Sequence, residues 1–435
     1  MLSISGLITY WLLFELINWF IYLVIYINIL TPRYLYLKNK DTEKIIKRID
    51  KLSKNELEFV IKGCIIYDKN KHESIQNDSQ IDINDITTTE IIIIIGYSLF
   101  GIDINKISSH SKYNEIIKLI SNIEKILEIK FKIDDDDKFL YRRWGSEFIK
   151  FSFRPLILQI PIRFIINYFH HYFVFSRGYE YSVCEKTKIS YLSKITNQNS
   201  NSNPERETLF FIHGFGLGYI PYYKIILELE KKYNIILIVL PNISSYRFYD
   251  ELMYIYFPSL IDIKESIYSF AEQKNIQNSI LLSHSFGTYI ARILERDSRS
   301  KIFKKIIMID PIIFWIGCFK MCIHMSNPSI RTDSLKNYLF DILANFIIYD
   351  CIYHQYVCLR TMFGPDFWIY DSKELVNSNI TMVLEKGDYI IPAELIYNKI
   401  KDKTKCYYFD DDKVVHGTIL TNSQYTGDIF DIIEM

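Results

Sequence analysis

The C-terminal part of the chain predicts an α/β fold, a mostly parallel sheet with helices on both faces, and two observations carry that expectation. From residue 178 onward, short runs rich in β-branched residues alternate with segments of helical periodicity. The runs are apolar throughout instead of alternating with polar residues, which is how strands buried on both faces read. In order they are TLFFI (208–212), NIILIVL (234–240), SILLS (279–283), KIIMID (305–310), ITMVLE (380–385) and CYYFD (406–410). Between them lie ILELEKKY, IKESIYSFAEQK, TYIARILERD and PAELIYNKIKDK, each with apolar residues at helical spacing.

With 435 residues, 49% of them hydrophobic and 23% charged, the chain can bury a large core, so wholesale disorder is excluded. Lys and Arg number 51 against 51 Asp and Glu, a balance without the electrostatic footprint of a nucleic-acid partner. Seven cysteines (Cys64, Cys184, Cys318, Cys322, Cys351, Cys358, Cys406) are scattered without paired spacing, which fits a reducing compartment better than a disulfide framework. Cys318, Cys322 and His324 fall close together, but Phe319, Met321 and Ile323 among them suit an apolar lining, so no metal is expected.

Residues 1–31 form the first of three segments. The stretch 7–30, LITYWLLFELINWFIYLVIYINIL, has Glu15 as its only ionisable side chain apart from tyrosines. As a helix rising about 1.5 Å per residue it would cross a ~30 Å hydrocarbon core, with Trp11 and Trp19 suited to the interfaces. It lacks the basic start and small-residue cleavage site of a signal peptide, so an uncleaved transmembrane anchor is expected. Arg33, Lys38, Lys40, Lys44, Lys47 and Arg48 follow it and no basic residue precedes it, which places the rest in the cytosol, at the endoplasmic reticulum or a membrane continuous with it. The sequons at Asn77, Asn242 and Asn379 would matter only in a lumen.

Residues 32–177 read as a helical region. Ser53 with Glu56 and Thr87 with Glu90 match capping boxes, and Ile116, Leu119, Ile120, Ile123 and Leu127 follow helical spacing. Polar residues 69–85 interrupt it, and the acidic run 134–137 suits a solvated loop. The apolar stretch 155–175 contains Pro161 and Arg163, leaving three readings: interfacial helix, packed helix, or a second span that would reverse the topology. The α/β region is 178–435, and within it an Asn-rich tract at 197–203 suits a solvated loop.

Chemistry concentrates at the ends of the predicted strands. The third run passes through Ser283-His284-Ser285-Phe286-Gly287 straight into a helix. Strand, sharp turn and helix make a nucleophile elbow of the G-x-S-x-G kind, with Ser283 in place of the first glycine and Gly287 kept. A serine hydroxyl needs a base oriented by an acid, in the chain order Ser, acid, His. Asp388, just past ITMVLE, and His416, in the loop after CYYFD, deliver that order. Asp310 also ends a strand and competes as the acid, while His324 and His354 sit in an apolar insertion and read as surface or core residues. TLFFI ends in His213-Gly214-Phe215-Gly216-Leu217-Gly218. Glycines there let amides approach an oxyanion, so the amides of Phe215 and Phe286 are the candidate donors, supported by His213, Gly214, Gly216 and Gly287. A dinucleotide fingerprint is the rival reading. It lacks the wider glycine spacing and an acidic residue after the next strand, so dinucleotide binding is not expected.

With HGFG, SHSFG, GDYIIP and VVHG in this order, the sequence resembles the α/β-hydrolase family over about residues 178–435. HGFGLGYIPYY, SHSFGT, IDPIIFW, FWIYDSKEL and the apolar N-terminus look more narrowly like the membrane-anchored α/β-hydrolase-like proteins of fungi and protists. The resemblance implies an eight-stranded sheet, acyl-ester chemistry and no metal or cofactor. An Asp-nucleophile dehalogenase or epoxide hydrolase is disfavoured by serine at the elbow.

Between Ile312 and Glu374 lies an insertion too long for a plain loop, expected to be a helical cap at about 312–374. Its large apolar residues, Phe314, Trp315, Phe340 and Trp368 among them, would pack the cap and line a pocket suited to an acyl chain. The function expected is therefore a membrane-anchored serine esterase with lipase or lysophospholipase character. The alternatives are a short-chain esterase and a catalytically silent scaffold of the same fold.

Overall fold

The computed structural model describes residues 4–30, 49, 51–68, 73–74, 81–100, 107–134, 139–141, 155–195, 206–240, 243–244, 258–314, 335–345, 348, 354–355, 357–358, 369, 371–375 and 379–435. The region from Gly178 builds one sheet from β4 (Glu180–Val183), β5 (Ser190–Lys194), β6 (Thr208–Ile212), β7 (Asn234–Val239), β8 (Ser279–His284), β9 (Phe303–Ile309), β10 (Ile380–Glu385) and β11 (Lys405–Phe409). Small strands β1 (Ile65–Asp68), β2 (Glu73–Ser74) and β3 (Phe139–Tyr141) precede them. The eight strands lie in the order β11-β10-β9-β8-β6-β7-β5-β4. β6 to β11 pair in parallel, while β5 runs antiparallel to both β7 and β4.

Side chains alternate between two cores because a strand has a period of two. Phe210, Ile212, Leu281, Ile306 and Met308 face one cluster. Leu209, Phe211, Leu282, Ile307 and Ile309 face the other. Helices α7 (Leu260–Gln273), α8 (Phe286–Glu295) and α10 (Ala393–Ile400) bury Ile267, Tyr289 and Ile396 in the first. α6 (Tyr223–Leu229), α11 (Thr418–Thr421) and α12 (Thr426–Glu434) bury Ile226, Ile419 and Ile432 in the second. Both faces are thus covered, and the six apolar runs of the sequence are β6 to β11. The pair β4 and β5 was not among those runs: β5 reads SYLSK, and Ser190 and Ser193 are buried despite their polarity. Tyr181 Oη lies 3.2 Å from Ser190 Oγ, so that hydroxyl keeps a partner.

Upstream, α2 (Lys54–Gly63) starts at a full Ser53–Glu56 capping box. α3 (Thr88–Phe100) starts at its Thr87–Glu90 equivalent, with the Thr87 amide donating to Glu90 Oε2 at 2.8 Å and the Glu90 amide to Thr87 Oγ1 at 3.2 Å. α4 (Tyr113–Leu127) buries Ile116, Leu119, Ile120, Ile123 and Leu127, continuous with the first core. Lys399 Nζ on α10 meets the buried Glu56 at 2.5 Å. The purely helical reading of residues 32–177 needs correction, because β1 pairs antiparallel with both β2 and β3. These strands are two to four residues long, too short for periodicity to register.

The two apolar stretches also depart from expectation. α1 (Ile4–Leu30) is one helix, and α5 (Leu156–His171) continues into a π-helical turn over Tyr172–Ser176. Among the described residues, however, no helix is long and apolar enough to cross a membrane, so neither the expected anchor nor a second span is found. Polar groups contribute to this. Glu15 Oε1 accepts the Leu156 amide at 2.9 Å, so the one carboxylate of α1 sits at the N-terminus of α5, where negative charge is favoured. α5 docks one face, through Ile166 with Phe173 just beyond it, against the second core and exposes the other.

The insertion after β9 closes at its base through a parallel bridge between Phe314 and Ile369. Within it, α9 (Leu335–Ala344) is helical as expected of a cap. Phe314 packs in the core. Trp315, Trp368, Cys318, Cys322 and His324 lie outside the described residues.

Candidate active site

The carboxyl ends of β6, β8, β9, β10 and β11 share one edge, the usual ligand edge of an open parallel sheet. β8 delivers Ser285 at φ 51°, ψ −119°, a left-handed conformation outside the range ordinary residues favour. The strain is held from three sides. The Ser285 amide donates to Ile309 O at 3.0 Å, and Thr288 Oγ1 donates to Ser285 O at 2.6 Å. A Cβ on Gly287 would stand 2.4 Å from Ile212 O, so α8 can leave the elbow this close to β6 only through a glycine. Ser283, the departure from the usual motif, fits because its hydroxyl donates to Ile307 O at 3.1 Å.

Asp388 follows β10. Its Oδ1 accepts the amides of Ile390 at 2.6 Å and Ile391 at 2.9 Å, which leaves Oδ2 for His416 Nδ1 at 2.6 Å. Burial opposes the carboxylate form of Asp388, but the His416 charge and these donors outweigh it and hold the pKa below its ordinary value. Burial also opposes the imidazolium of His416. Asp388, joined by Asp310 and Glu385, overcomes that and pushes the His416 pKa up to about 9. His416 Nε2 is buried and has no hydrogen-bond partner among the described residues, so no bond yet joins it to the Ser285 hydroxyl. Catalytic hydrogen bonds are often this loose before a substrate arrives.

After β6, Gly214 lies against the elbow: a Cβ there would be 2.9 Å from Ser285 Cβ. Phe286 opens α8, where an amide has no intrahelical acceptor, and its ring meets that of Phe215 at 4.9 Å. The side chains of the two residues that carry the candidate amides are therefore in contact. Gly216, at φ 128°, packs near Ile348 of the insertion. His213 is fully buried; its Nε2 accepts the Leu240 amide at 3.1 Å, and burial pulls its pKa down to about 4, so it is a neutral brace between strands. His354 is a buried residue whose ring lies 5.3 Å from that of Phe215, in keeping with its reading as a core histidine.

The structure adds residues that motif reading did not single out for the site. His284 Nδ1 pairs with Tyr222 Oη at 2.8 Å, and its ring lies 4.9 Å from that of His416. Burial, then the charge of His416, lowers its pKa well below the usual imidazole value. Glu385 accepts the amides of Thr418 at 3.1 Å and Ile419 at 2.9 Å, fixing the segment after His416, while burial and then Asp310 raise its pKa. Asp310, weighed in the sequence as a competing acid, accepts the Gly417 amide at 2.7 Å. His284, Asp310 and His416 each bring one side-chain donor or acceptor atom within 4.8 Å of the others, and the Nδ1 of His416 is already held by Asp388.

Eight strands in this order, with serine at a strained turn after β8, an acid after β10 and a histidine after β11, define an α/β-hydrolase fold. No family model matches the chain, and no curated protein matches it in sequence. Among solved structures it is similar to a bacterial membrane phospholipase A described as a virulence factor, at 13% identity and a TM-score of 0.45, covering 64% of this chain and 96% of that one. It is also similar to carboxylesterase CesB of Bacillus subtilis, at 10% identity and a TM-score of 0.44, over 63% and 98% of the two chains. Naproxen esterase of the same organism matches at 11% identity and a TM-score of 0.43, over 63% and 98%. The fold assignment rests on the strand order and the elbow themselves.

Proposed function

We propose that the chain is a serine hydrolase that cleaves a carboxylic ester. Ser285 Oγ attacks the acyl carbon, His416 Nε2 takes its proton, and the amides of Phe215 and Phe286 hold the resulting oxyanion. Collapse breaks the ester bond, the leaving alkoxide receives the proton from His416, and water repeats the sequence on the acyl-enzyme to release the acid. Asp388 keeps the Nδ1–H tautomer and supports the imidazolium. The observation that carries this reading is the 2.6 Å pair between His416 Nδ1 and Asp388 Oδ2 on the edge that also bears the strained Ser285. A fluorophosphonate probe tests it. Wild type is labelled and Ser285→Ala is not; equal labelling of both would sink the assignment.

The substrate class we propose is a lipid-derived ester reached at a membrane, with the hydrolase region on the cytosolic side. Support comes from large apolar side chains facing outward: Leu12 at 62% and Phe14 at 60% exposure on α1, and Phe164 at 71% on α5. A chain-length series of esters, in solution and in vesicles, separates this from a short-chain esterase, for which kcat/KM falls with acyl length in both settings. The second reading is a catalytically silent fold, and the feature behind it is Ser283 in place of the first elbow glycine. That reading wins if esters, thioesters and amides all go unturned by protein that remains folded.

A further inference from the structure

Asp310 is fully buried at the end of β9, with φ at 48° and its amide bonded to Val383 O at 3.0 Å. From there its Oδ2 reaches three groups. It accepts the Gly417 amide at 2.7 Å, stands 3.9 Å from His416 Nδ1, and lies 3.5 Å from His284 Nε2. Oδ1 has no hydrogen-bond partner among the described residues. If holding Gly417 were the whole role, a neutral amide would do it without the desolvation of a carboxylate. Asparagine would even tolerate the positive φ better than most residues. A carboxylate here also adds negative charge beside Asp388, 3.9 Å from His416 Nδ1; burial raises its pKa to about 7 against the pull of the His416 imidazolium, which is placed to offset that charge.

We infer that Asp310 is a second acid of the site, a positioning residue that holds the His416 loop through Gly417 and shares the imidazolium charge with Asp388. Its kinetic consequences rest on the serine-hydrolase reading; its effect on the His416 titration does not. The titratable groups facing it are His284 from β8, Glu385 and Asp388 from the end of β10, His416 from the loop after β11, and Tyr222 from the segment after β6.

The test compares full-length Asp310→Asn, Asp310→Ala, Asp388→Ala and the Asp310→Asn/Asp388→Ala double variant. Asp310→Asn keeps the Gly417 bond and loses the charge. Its kcat is expected to fall about 10-fold at unchanged KM, and its alkaline limb to move to lower pH. Asp310→Ala loses the bond as well and falls further. Asp388→Ala retains activity above the Ser285→Ala background, and the double variant drops by at least another factor of about 10. In parallel, NMR of 15N-histidine-labelled wild type and Asp310→Asn follows the His416 imidazole, whose pKa should be lower in the variant. An unchanged His416 titration with a wild-type pH profile overturns the proposal, as does an Asp388→Ala variant no more active than Ser285→Ala. If the wild type resists the fluorophosphonate probe, the hydrolase reading fails and the NMR titration alone decides the role of Asp310. Asp310→Ala failing to fold would leave Asp310→Asn to decide it.

Discussion

The carboxyl edge of the central sheet and the N-terminal pair α1 and α5 treat their costly groups in opposite ways. At the sheet edge, buried charges and strained backbone are drawn together and matched within the chain: Asp388 has two amides and an imidazole, Glu385 two amides, and Ser285 a neighbour on either side. On α1, α5 and the turn after it the one matched carboxylate is Glu15, while Leu12, Phe14, Phe164 and Phe175 are largely exposed among the described residues. Internal matching of groups that oppose folding marks a place where the chain does something to a ligand. Apolar surface left uncovered marks a place where something outside the chain is expected to do the covering.

The largest expected effect breaks the sheet-edge side of this contrast. Ser285→Ala should lower kcat by about 10⁴-fold or more with the fold retained, read by ester turnover together with near-UV circular dichroism. Next comes a pair of phenylalanines two residues apart. Phe173 is fully buried against the rings of Tyr179 and Tyr219, each 5.1 Å away, whereas Phe175 is 74% exposed. Phe173→Ala is expected to cost about 3–5 kcal/mol in denaturant unfolding. Phe175→Ala should stay within about 0.5 kcal/mol, and equal losses would erase the distinction between the two faces.

The electrostatics give a pH dependence. Because His416 is raised from 6.5 to about 9, its basic form accumulates only on the alkaline side, so kcat/KM should climb through a limb centred near pH 9. The same shift is a stability statement with the opposite trend: the contribution is complete below pH 6.5 and fades as pH rises through about 9. A rate profile flat from pH 7 to 10 would show that the Asp388 pair does not hold the proton. The smallest effect concerns the exposed helices. Replacing Leu12, Phe14, Leu16 and Phe20 with serine should weaken binding to vesicles about 100-fold while Tm moves little, because these side chains touch little of the fold.

Much of this was legible from local pattern. Six strands, both capping boxes and the buried stripe of α4 depend on periodicity and on residues adjacent in the chain, and the structure has them where the pattern put them; the elbow and the order Ser285, Asp388, His416 were likewise readable as candidates. The pair β4 and β5 escaped because β4 is largely exposed and β5 buries two serines, one of them beside Tyr181 Oη, to which hydropathy is blind. The strands β1, β2 and β3 were too short to show a period.

What the sequence by itself determined is the layered α/β plan and the candidate nucleophile, since continuous apolar runs must be covered on both faces and a strand–turn–helix with small residues has few conformations open to it. The tertiary structure alone decided which carboxylates share the histidine. Asp310, Glu385 and Asp388 end neighbouring strands, and only the parallel register of β9, β10 and β11 brings them around one imidazole. It also decided that Glu15 of α1 serves the N-terminus of α5, 141 positions along the chain. Charge and hydrogen bonding act through space over a few ångströms, and distance along the chain says little about who will stand that close.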